Sequence, residues 1–475
     1  MNLAPPKSGG PVDEAYDAVF VGTVASVVAL GGLLFGWDWV VIGGAKPFFE
    51  SYFQLHDPNL VGWANSCALV GCLVGALLAG VLSDRLGRKR LLIVSALLFA
   101  GTSIGNALAQ SFDAFIAWRM LGGVGIGLAS SLSPMYISEI APARARGRLV
   151  SINQLTIVVG ILLAQTINWC LVRHLPQGAT EAFIRTSWFG THGWRWMFGL
   201  TAAPSLVFLA AMLFVPESPR WLIKNGEPER ARRVLARIGG DAYAERTLAE
   251  IGRSISAAET GRVRFADLFE PKMRRALGIG IVLAVFQQWC GINVIFNYAE
   301  EIFRAAGYDI SSVLKNIAWT GSVNLLFTFA ALGTVDRAGR RSLMLVGSGG
   351  LALVYAALAL CYTGGVQGLP MLLLVLAAIG CYAMSLAPVT WVIISEIFPN
   401  RIRGAAMSMA VAALWIACFI LTYTFPLLNA RLGPAGTFGL YAGICVAGFA
   451  FIAARLPETK GKTLEELEIE LTDND

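Results

Sequence analysis

The chain has 475 residues, of which 56% are hydrophobic and only 14% charged, and 37 Lys and Arg stand against 31 Asp and Glu for a formal charge of +6. Water-soluble domains carry about 25% charged residues, so this composition excludes a large cytosolic enzyme and a disordered chain, while the 51 glycines and 13 tryptophans suit a bundle of transmembrane helices. The modest positive charge reads as membrane topology, because cytoplasmic loops are rich in Lys and Arg, and not as a nucleic-acid surface.

In chain order, residues 1–16 form a polar, proline-containing tail, and the first apolar run lacks a small-residue cleavage site, so it is expected to remain as an uncleaved anchor. About twelve apolar runs, each able to cross roughly 30 Å of hydrocarbon, follow at 17–43, 62–83, 91–110, 114–138, 148–171, 194–215, 275–300, 312–335, 342–362, 368–395, 403–429 and 436–456. They divide into an N-terminal half (17–215) and a C-terminal half (275–456), separated by a polar, Arg-rich, helix-prone linker (216–274) and followed by a tail (457–475). Short basic connections at 84–90, 144–148, 336–341 and 400–403 fall on one side, whereas opposite connections such as 46–60 and 172–193 are less basic. The positive-inside rule then puts both termini and the linker in the cytoplasm. The 8 cysteines lie in or at the ends of apolar runs without metal spacing and read as packing residues. His56, His174 and His192 fall in outer loops and are poor proton carriers. No metal and no cofactor is expected.

The halves repeat one another. SEIAPARARG at 138–147 returns as SEIFPNRIRG at 395–404, DRLGRK at 84–89 as DRAGRR at 336–341, and PESP at 216–219 as PETK at 457–460. Repeats in the same order, roughly 250 residues apart, indicate duplication of a six-helix unit. Parallel six-helix halves with a site between them are the architecture of secondary transporters, whose halves rock about a bound solute. Asp84, Arg85 and Arg88, and Asp336, Arg337 and Arg340 in the second half, stand where one helix ends and the next begins. They are expected to tie helix ends together through Glu139, Glu217, Glu396 and Glu458, with Arg146, Arg220 and Arg403 alongside. Such bonds would break when the cytoplasmic side opens; the alternative is that these charges only orient the loops.

Charged residues inside spans are costly and become functional candidates. Asp38 follows GGLLFGW in the first span, and Arg119 opens the fourth. Desolvation raises a carboxylate pKa and a nearby cation lowers it, so if the two meet, protonation of Asp38 frees Arg119 and makes a proton-sensitive latch. A permanent structural ion pair is the other reading. A polar set lies mostly in the second half: Gln287, Gln288 and Asn293 in the seventh span, Asn324 in the eighth, Trp391 in the tenth and Trp415 in the eleventh, joined by Gln154 from the fifth. Amides donate and accept together and indole faces pack against C–H surfaces, which suits a neutral polyol better than an ion. For any single amide, an interhelical hydrogen bond is the alternative.

On DRLGRKR at 84–90, PESPRWL at 216–222, QQWCGIN at 287–293, DRAGRR at 336–341, SEIFPNRIRG at 395–404 and PETKGKTLEELE at 457–468, the chain resembles the sugar porter family of the major facilitator superfamily over essentially its whole length. The resemblance implies an all-α membrane protein of the major facilitator fold: twelve transmembrane helices in two six-helix halves with a helical cytoplasmic linker, multi-pass in the inner cell membrane and monomeric. It implies a proton-coupled symporter importing a neutral aldose, xylose or a hexose such as glucose, by alternating access, with Asp38 as proton acceptor and Arg119 as its partner. Its partners would be the monosaccharide, protons and the lipid bilayer. A facilitative uniporter for a hexose or a cyclic polyol such as inositol is the alternative, although uncoupled animal members of the family carry Asn where this chain has Asp38.

Carried over by the same resemblance, sugar contacts fall on Gln154, Gln287, Gln288, Asn293, Asn324, Trp391 and Trp415, with Phe35 nearby. The chain departs from xylose-carrying members at Leu414, where they have glutamine, at Asn297, where they have tyrosine, at Ala387, where they have glycine, and at Thr201, where they have a membrane glutamate. Sugar identity is therefore open, and Asp38 and Arg119 are left to carry coupling. An enzyme acting on lipid-linked sugars should show a paired-carboxylate, metal or nucleophile–base constellation, and none is visible in the sequence. A sugar receptor without flux should carry a signalling domain, for which 464–475 is too short.

Overall fold

The computed structural model describes residues 16–142, 144–176, 179–260, 268–398 and 403–460. The tail before Tyr16, the chain after Lys460 and the side chains of Asp336 and Arg403 lie outside the described residues. No strand occurs among those described. The first half is built from α1 (Ala18–Phe53), α2 (Pro58–Leu86), α3 (Arg88–Leu108), α4 (Phe112–Ile140) and α5 (Arg146–Val172), then the short α6 (Glu181–Thr186) and a sixth span made of α7 (Trp194–Gly199) and α8 (Ala202–Phe214). The linker contains α9 (Pro219–Lys224) and α10 (Pro228–Thr260), the latter broken at Gly239 and Gly240.

Two spans of the second half are discontinuous, where the apolar pattern predicts unbroken helices at 275–300 and 368–395. α11 (Pro271–Trp289) stops at Cys290, and Gly291, at φ +86°, starts α12 (Ile292–Asn297), which leads into α13 (Ala299–Ala305). α14 (Ile310–Ala338) and α15 (Arg340–Thr363) are continuous, but α16 (Leu369–Met384) and α17 (Leu386–Ile397) are divided at Ser385. α18 (Arg403–Arg455) holds a 51-residue apolar stretch. At about 1.5 Å per residue that is more than twice the hydrocarbon thickness. Gly433, at φ +67°, with Pro434 after it, breaks α18, so it supplies two crossings. The 11 apolar helical stretches therefore make twelve spans.

Asp17 caps α1, its Oδ1 accepting from the Phe20 N–H at 2.8 Å. The helix then continues through Pro47 to Phe53, well past the expected end at 43, so Lys46 belongs to a helix and not to an outer loop. Gly36 faces the Ile157 carbonyl of α5, and Gly160 reciprocally faces Leu33 of α1, with no room for a Cβ at either. This close approach sets the depth at which Asp38 enters the bundle. The halves meet through α2 on α18, α5 on α14, and α1 on α12 and α13. Bonds and ring contacts join them away from the basic turns: Gln165 Nε2 to Thr320 Oγ1 at 3.3 Å, Tyr423 Oη to Asn59 Oδ1 at 3.3 Å, and the Trp63 and Phe419 rings 6.3 Å apart. Exposed Phe214, Leu353 and Leu360 give the bundle the apolar exterior a bilayer requires.

Candidate functional site

The two charged residues singled out inside spans meet. Arg119 Nη1 of α4 donates to Asp38 Oδ2 at 3.1 Å and Oδ1 at 3.2 Å, with Arg119 only 3% exposed. The Phe198 ring lies 5.3 Å from the guanidinium, closing it against an apolar face. A water-sized cavity touches the pair and is lined also by Trp39, Asn65 and Asn297. The Oδ1 atoms of Asn65 and Asn297 and the Nε of Arg119 are buried without protein partners, so the cavity is polar on several sides. Asn297 comes from the second half, which brings that half to within reach of Asp38. Thr201 is buried, its Oγ1 without a partner, and supplies no acid.

Three of the amides form a chain. Gln288 Nε2 donates to Gln287 Oε1 at 2.7 Å, and Asn293 Nδ2 donates to Gln288 Oε1. The break at Gly291 makes this possible, since it turns α12 so that Asn293 returns toward the end of α11. Asn293 Nδ2 also approaches Cys418 Sγ at 3.6 Å. Leu414 and Trp415 are buried on the same helix, α18. The Trp415 ring lies 6.3 Å from Phe35 and 6.0 Å from Trp39, and these two rings of α1 stand 5.8 Å apart edge to face. Trp39 was not among the expected residues; its spacing of four from Phe35 is the signal that puts both on one helix face. Gln154 on α5, Asn324 on α14 and Trp391 on α17 make no bond to the amide chain among the described residues, and Trp391 is 39% exposed.

At the basic end, the repeated strings build the same cluster twice. In the first half, Arg88 Nη2 donates to Glu139 Oε1 at 3.0 Å and Nη1 to Asp84 Oδ1 at 3.2 Å, Ser218 Oγ donates to Glu139 Oε2, and Lys224 Nζ pairs with Asp84 at 2.7 Å. In the second, Arg340 Nη2 reaches Glu396 Oε1 at 3.4 Å, and Thr459 Oγ1 donates to Glu396 Oε2 at 2.6 Å. Glu217 accepts the backbone N–H groups of Arg88 and Lys89 at 3.1 Å, and Glu458 those of Arg340 and Arg341 at 2.9 and 3.2 Å, so each caps the start of a helix. Burial pushes the Glu217 carboxyl up despite the N–H donors of Ser218, Lys89 and Arg88. Burial also works to raise Glu458, but the N–H groups of Lys460, Arg340, Arg341 and Thr459 outweigh it and hold that carboxyl below the ordinary range. Arg146 Nε donates to the Ser138 carbonyl at 3.1 Å. Arg85, Arg220 and Arg337 are exposed and without side-chain partners among the described residues. Ser218, Lys224 and Thr459 were missed because small polar residues and lone lysines carry little signal outside the repeated charges.

Twelve spans in two repeated halves, a buried ion pair in the first half, an amide chain in the second and an aromatic cluster bridging the two define a membrane carrier, not an enzyme. The family model described as "Sugar (and other) transporter" matches residues 24–471, and the chain belongs to that family. It is 37% identical to the D-xylose-proton symporter of Escherichia coli (strain K12), over 96% of this chain and 97% of the relative. It is 38% identical to the arabinose-proton symporter of Bacillus subtilis (strain 168), over 96% of each. The E. coli xylose transporter in a partially occluded inward open conformation superposes with a TM-score of 0.82 at 34% identity, covering 94% of this chain and all of the other.

Proposed function

We propose that this protein is a proton-coupled symporter that imports a neutral aldose by alternating access, with Asp38 as the proton-binding group, Arg119 as its counter-ion, and the sugar held between the Gln287–Gln288–Asn293 chain and the Phe35–Trp39–Trp415 rings. The observation that carries this reading is the buried Asp38–Arg119 pair beside a cavity that Asn297 of the other half also lines. Charging or neutralising Asp38 changes what Arg119 holds, and that change is felt where the halves meet. Amides without a formal charge suit hydroxyls. Two relatives named for pentoses support a pentose or a similar aldose as cargo; Leu414, which offers no hydrogen bond, favours a sugar choice of its own. The arginine turns and both termini face the cytoplasm in this reading, which the positive-inside rule supports, and the membrane is the inner cell membrane.

Gln154, Asn324 and Trp391 contribute to the sugar site in conformers that bring α5, α14 and α17 nearer. The Arg88–Glu139 and Arg340–Glu396 pairs hold each half's cytoplasmic helix ends together, and in this reading they break when that side opens. A facilitative uniporter for a hexose or a cyclic polyol is the second reading, favoured by Thr201, which leaves the ion pair without a third titrating group. Uptake of labelled sugars into proteoliposomes with and without an imposed proton gradient separates the two: accumulation above equilibrium supports symport, and equilibration alone supports uniport.

A further inference from the structure

Lys46 is 2% exposed although it is a lysine in an apolar helix. Its Nζ lies 2.5 Å from Glu301 Oε1 and 3.6 Å from Glu300 Oε2, both on α13 of the second half, and 3.3 Å from Glu50 Oε2 one turn further along α1. The Tyr298 ring stands 5.6 Å from the ammonium, and Arg304 pairs with Glu300 at 3.1 Å. An ammonium taken this far out of water persists only with carboxylates around it, and two of the three come from across the interface between the halves.

The setting is also that of the cargo path. Phe35, Trp39, Gly43, Lys46 and Glu50 recur at helical spacing on α1. Phe35 and Trp39 meet Trp415, Gly43 meets the Phe296 carbonyl so closely that no Cβ would fit, and Lys46 meets Glu300 and Glu301. α13 directly continues α12, which carries Asn293. α1 and the consecutive α12 and α13 therefore carry both the proposed lining of the site and this cluster.

We propose that Lys46 with Glu300 and Glu301 is a latch that closes the transport path at the end opposite the arginine turns, and that it opens when the path opens there; this rests on the alternating-access reading above. Each side of the latch has a resident counter-ion on its own helix. Lys46 keeps Glu50, four residues on, and Glu300 keeps Arg304, also four residues on. When α1 and α13 part, neither Lys46 nor Glu300 is left bare, which avoids much of the cost of leaving a buried charge uncompensated. Lys46, Glu300 and Glu301 are thus positioning residues, which set the distance between α1 and α13 without touching the sugar.

The test is hydrogen exchange on the full chain in lipid nanodiscs without sugar. In the Glu300→Gln/Glu301→Gln variant, and less in Glu301→Gln alone, exchange should become severalfold faster in residues 40–53 and 292–305. It should become slower in 84–90 and 336–341, because conformers open at one end are closed at the other. Exchanging the charges, Lys46→Glu with Glu301→Lys, should return both ends toward the unaltered pattern. Faster exchange at both ends would mean a structural pair only, and unchanged exchange would mean no latch; either result overturns the proposal. Sugar uptake by the unaltered chain checks the reading beneath it separately: uptake with unchanged exchange in the variants defeats the latch alone, and no uptake defeats the transport reading.

Discussion

Trp39 of α1 lies with its ring 6.0 Å from that of Trp415 of α18, tilted by 60°, so an aromatic contact bridges the two halves beside the proposed proton site. Trp39 also lines the cavity next to Asp38 and Arg119. One side chain therefore joins the aromatic cluster of Phe35 and Trp415 and lines the cavity beside the ion pair.

If that contact shapes the sugar site, Trp39→Leu should weaken sugar binding while leaving the protein folded. Aromatic pairs contribute about 0.5–1.5 kcal/mol beyond burial, so calorimetry on the purified variant should show affinity reduced by roughly twofold to thirteenfold. Unchanged affinity would remove Trp39 from the site.

The amide chain is expected to weigh more. In the proposed site, Gln287→Ala and Asn293→Ala would each leave a neighbouring amide and a sugar hydroxyl short of a partner, which costs about 1–3 kcal/mol when desolvated. Calorimetry of both variants checks this, and full affinity in both would move the site elsewhere. Leu414→Gln should raise xylose affinity if the apolar residue tunes sugar choice.

The turns between α2 and α3 and between α14 and α15 depend on Gly87 (φ +92°) and Gly339 (φ +87°), where an added Cβ would also run into Glu217 or Glu458. Gly87→Ala and Gly339→Ala should each destabilise by about 1–3 kcal/mol, because positive φ with extended ψ is essentially reserved for glycine. Thermal unfolding in detergent measures it, and unchanged melting would show that the turns relax without loss.

Glu217 and Glu458 hold equivalent places but should titrate apart. The raised carboxyl of Glu217 means that its contribution to stability is full in acid and fades as pH rises through its folded value. The lowered carboxyl of Glu458 contributes above its ordinary value and is lost as pH falls through its folded value. On acidification Glu217 should therefore take its proton first. Infrared carboxylate bands assigned with Glu217→Gln and Glu458→Gln follow the order, and simultaneous protonation would contradict it.

Much of this arrangement was legible in the chain. Apolar run lengths gave the spans, as at 148–171 for α5, and the repeated charged strings located both clusters at the basic end, because each needs a glycine turn, an arginine and an acid in fixed order. The meeting of Asp38 and Arg119 was readable because an unpaired charge in a span has few options. Lys46 reads as a loop residue since a lysine followed by proline resembles a helix end, and the two carboxylates that reach it from the other half, Glu300 and Glu301, lie more than 250 positions away in sequence. The breaks at Gly291 and Ser385 were hidden for a similar reason: apolar residues continue through them, and only backbone dihedral angles distinguish a broken span from a straight one.

The central claim is that Asp38 must be protonated before the loaded carrier turns over. Asp38→Asn imitates the protonated state, leaves the amide chain untouched, and deprives Arg119 of its anion at every pH. Counterflow and gradient-driven uptake of labelled sugar, measured side by side in liposomes, test it most directly. The account predicts that counterflow persists, accumulation against a gradient disappears and the pH dependence of transport flattens. A folded Asp38→Asn protein that still concentrates sugar would contradict it, as would loss of counterflow and folding together, the result expected when removal of one partner leaves a buried charge unpaired at about 3–5 kcal/mol.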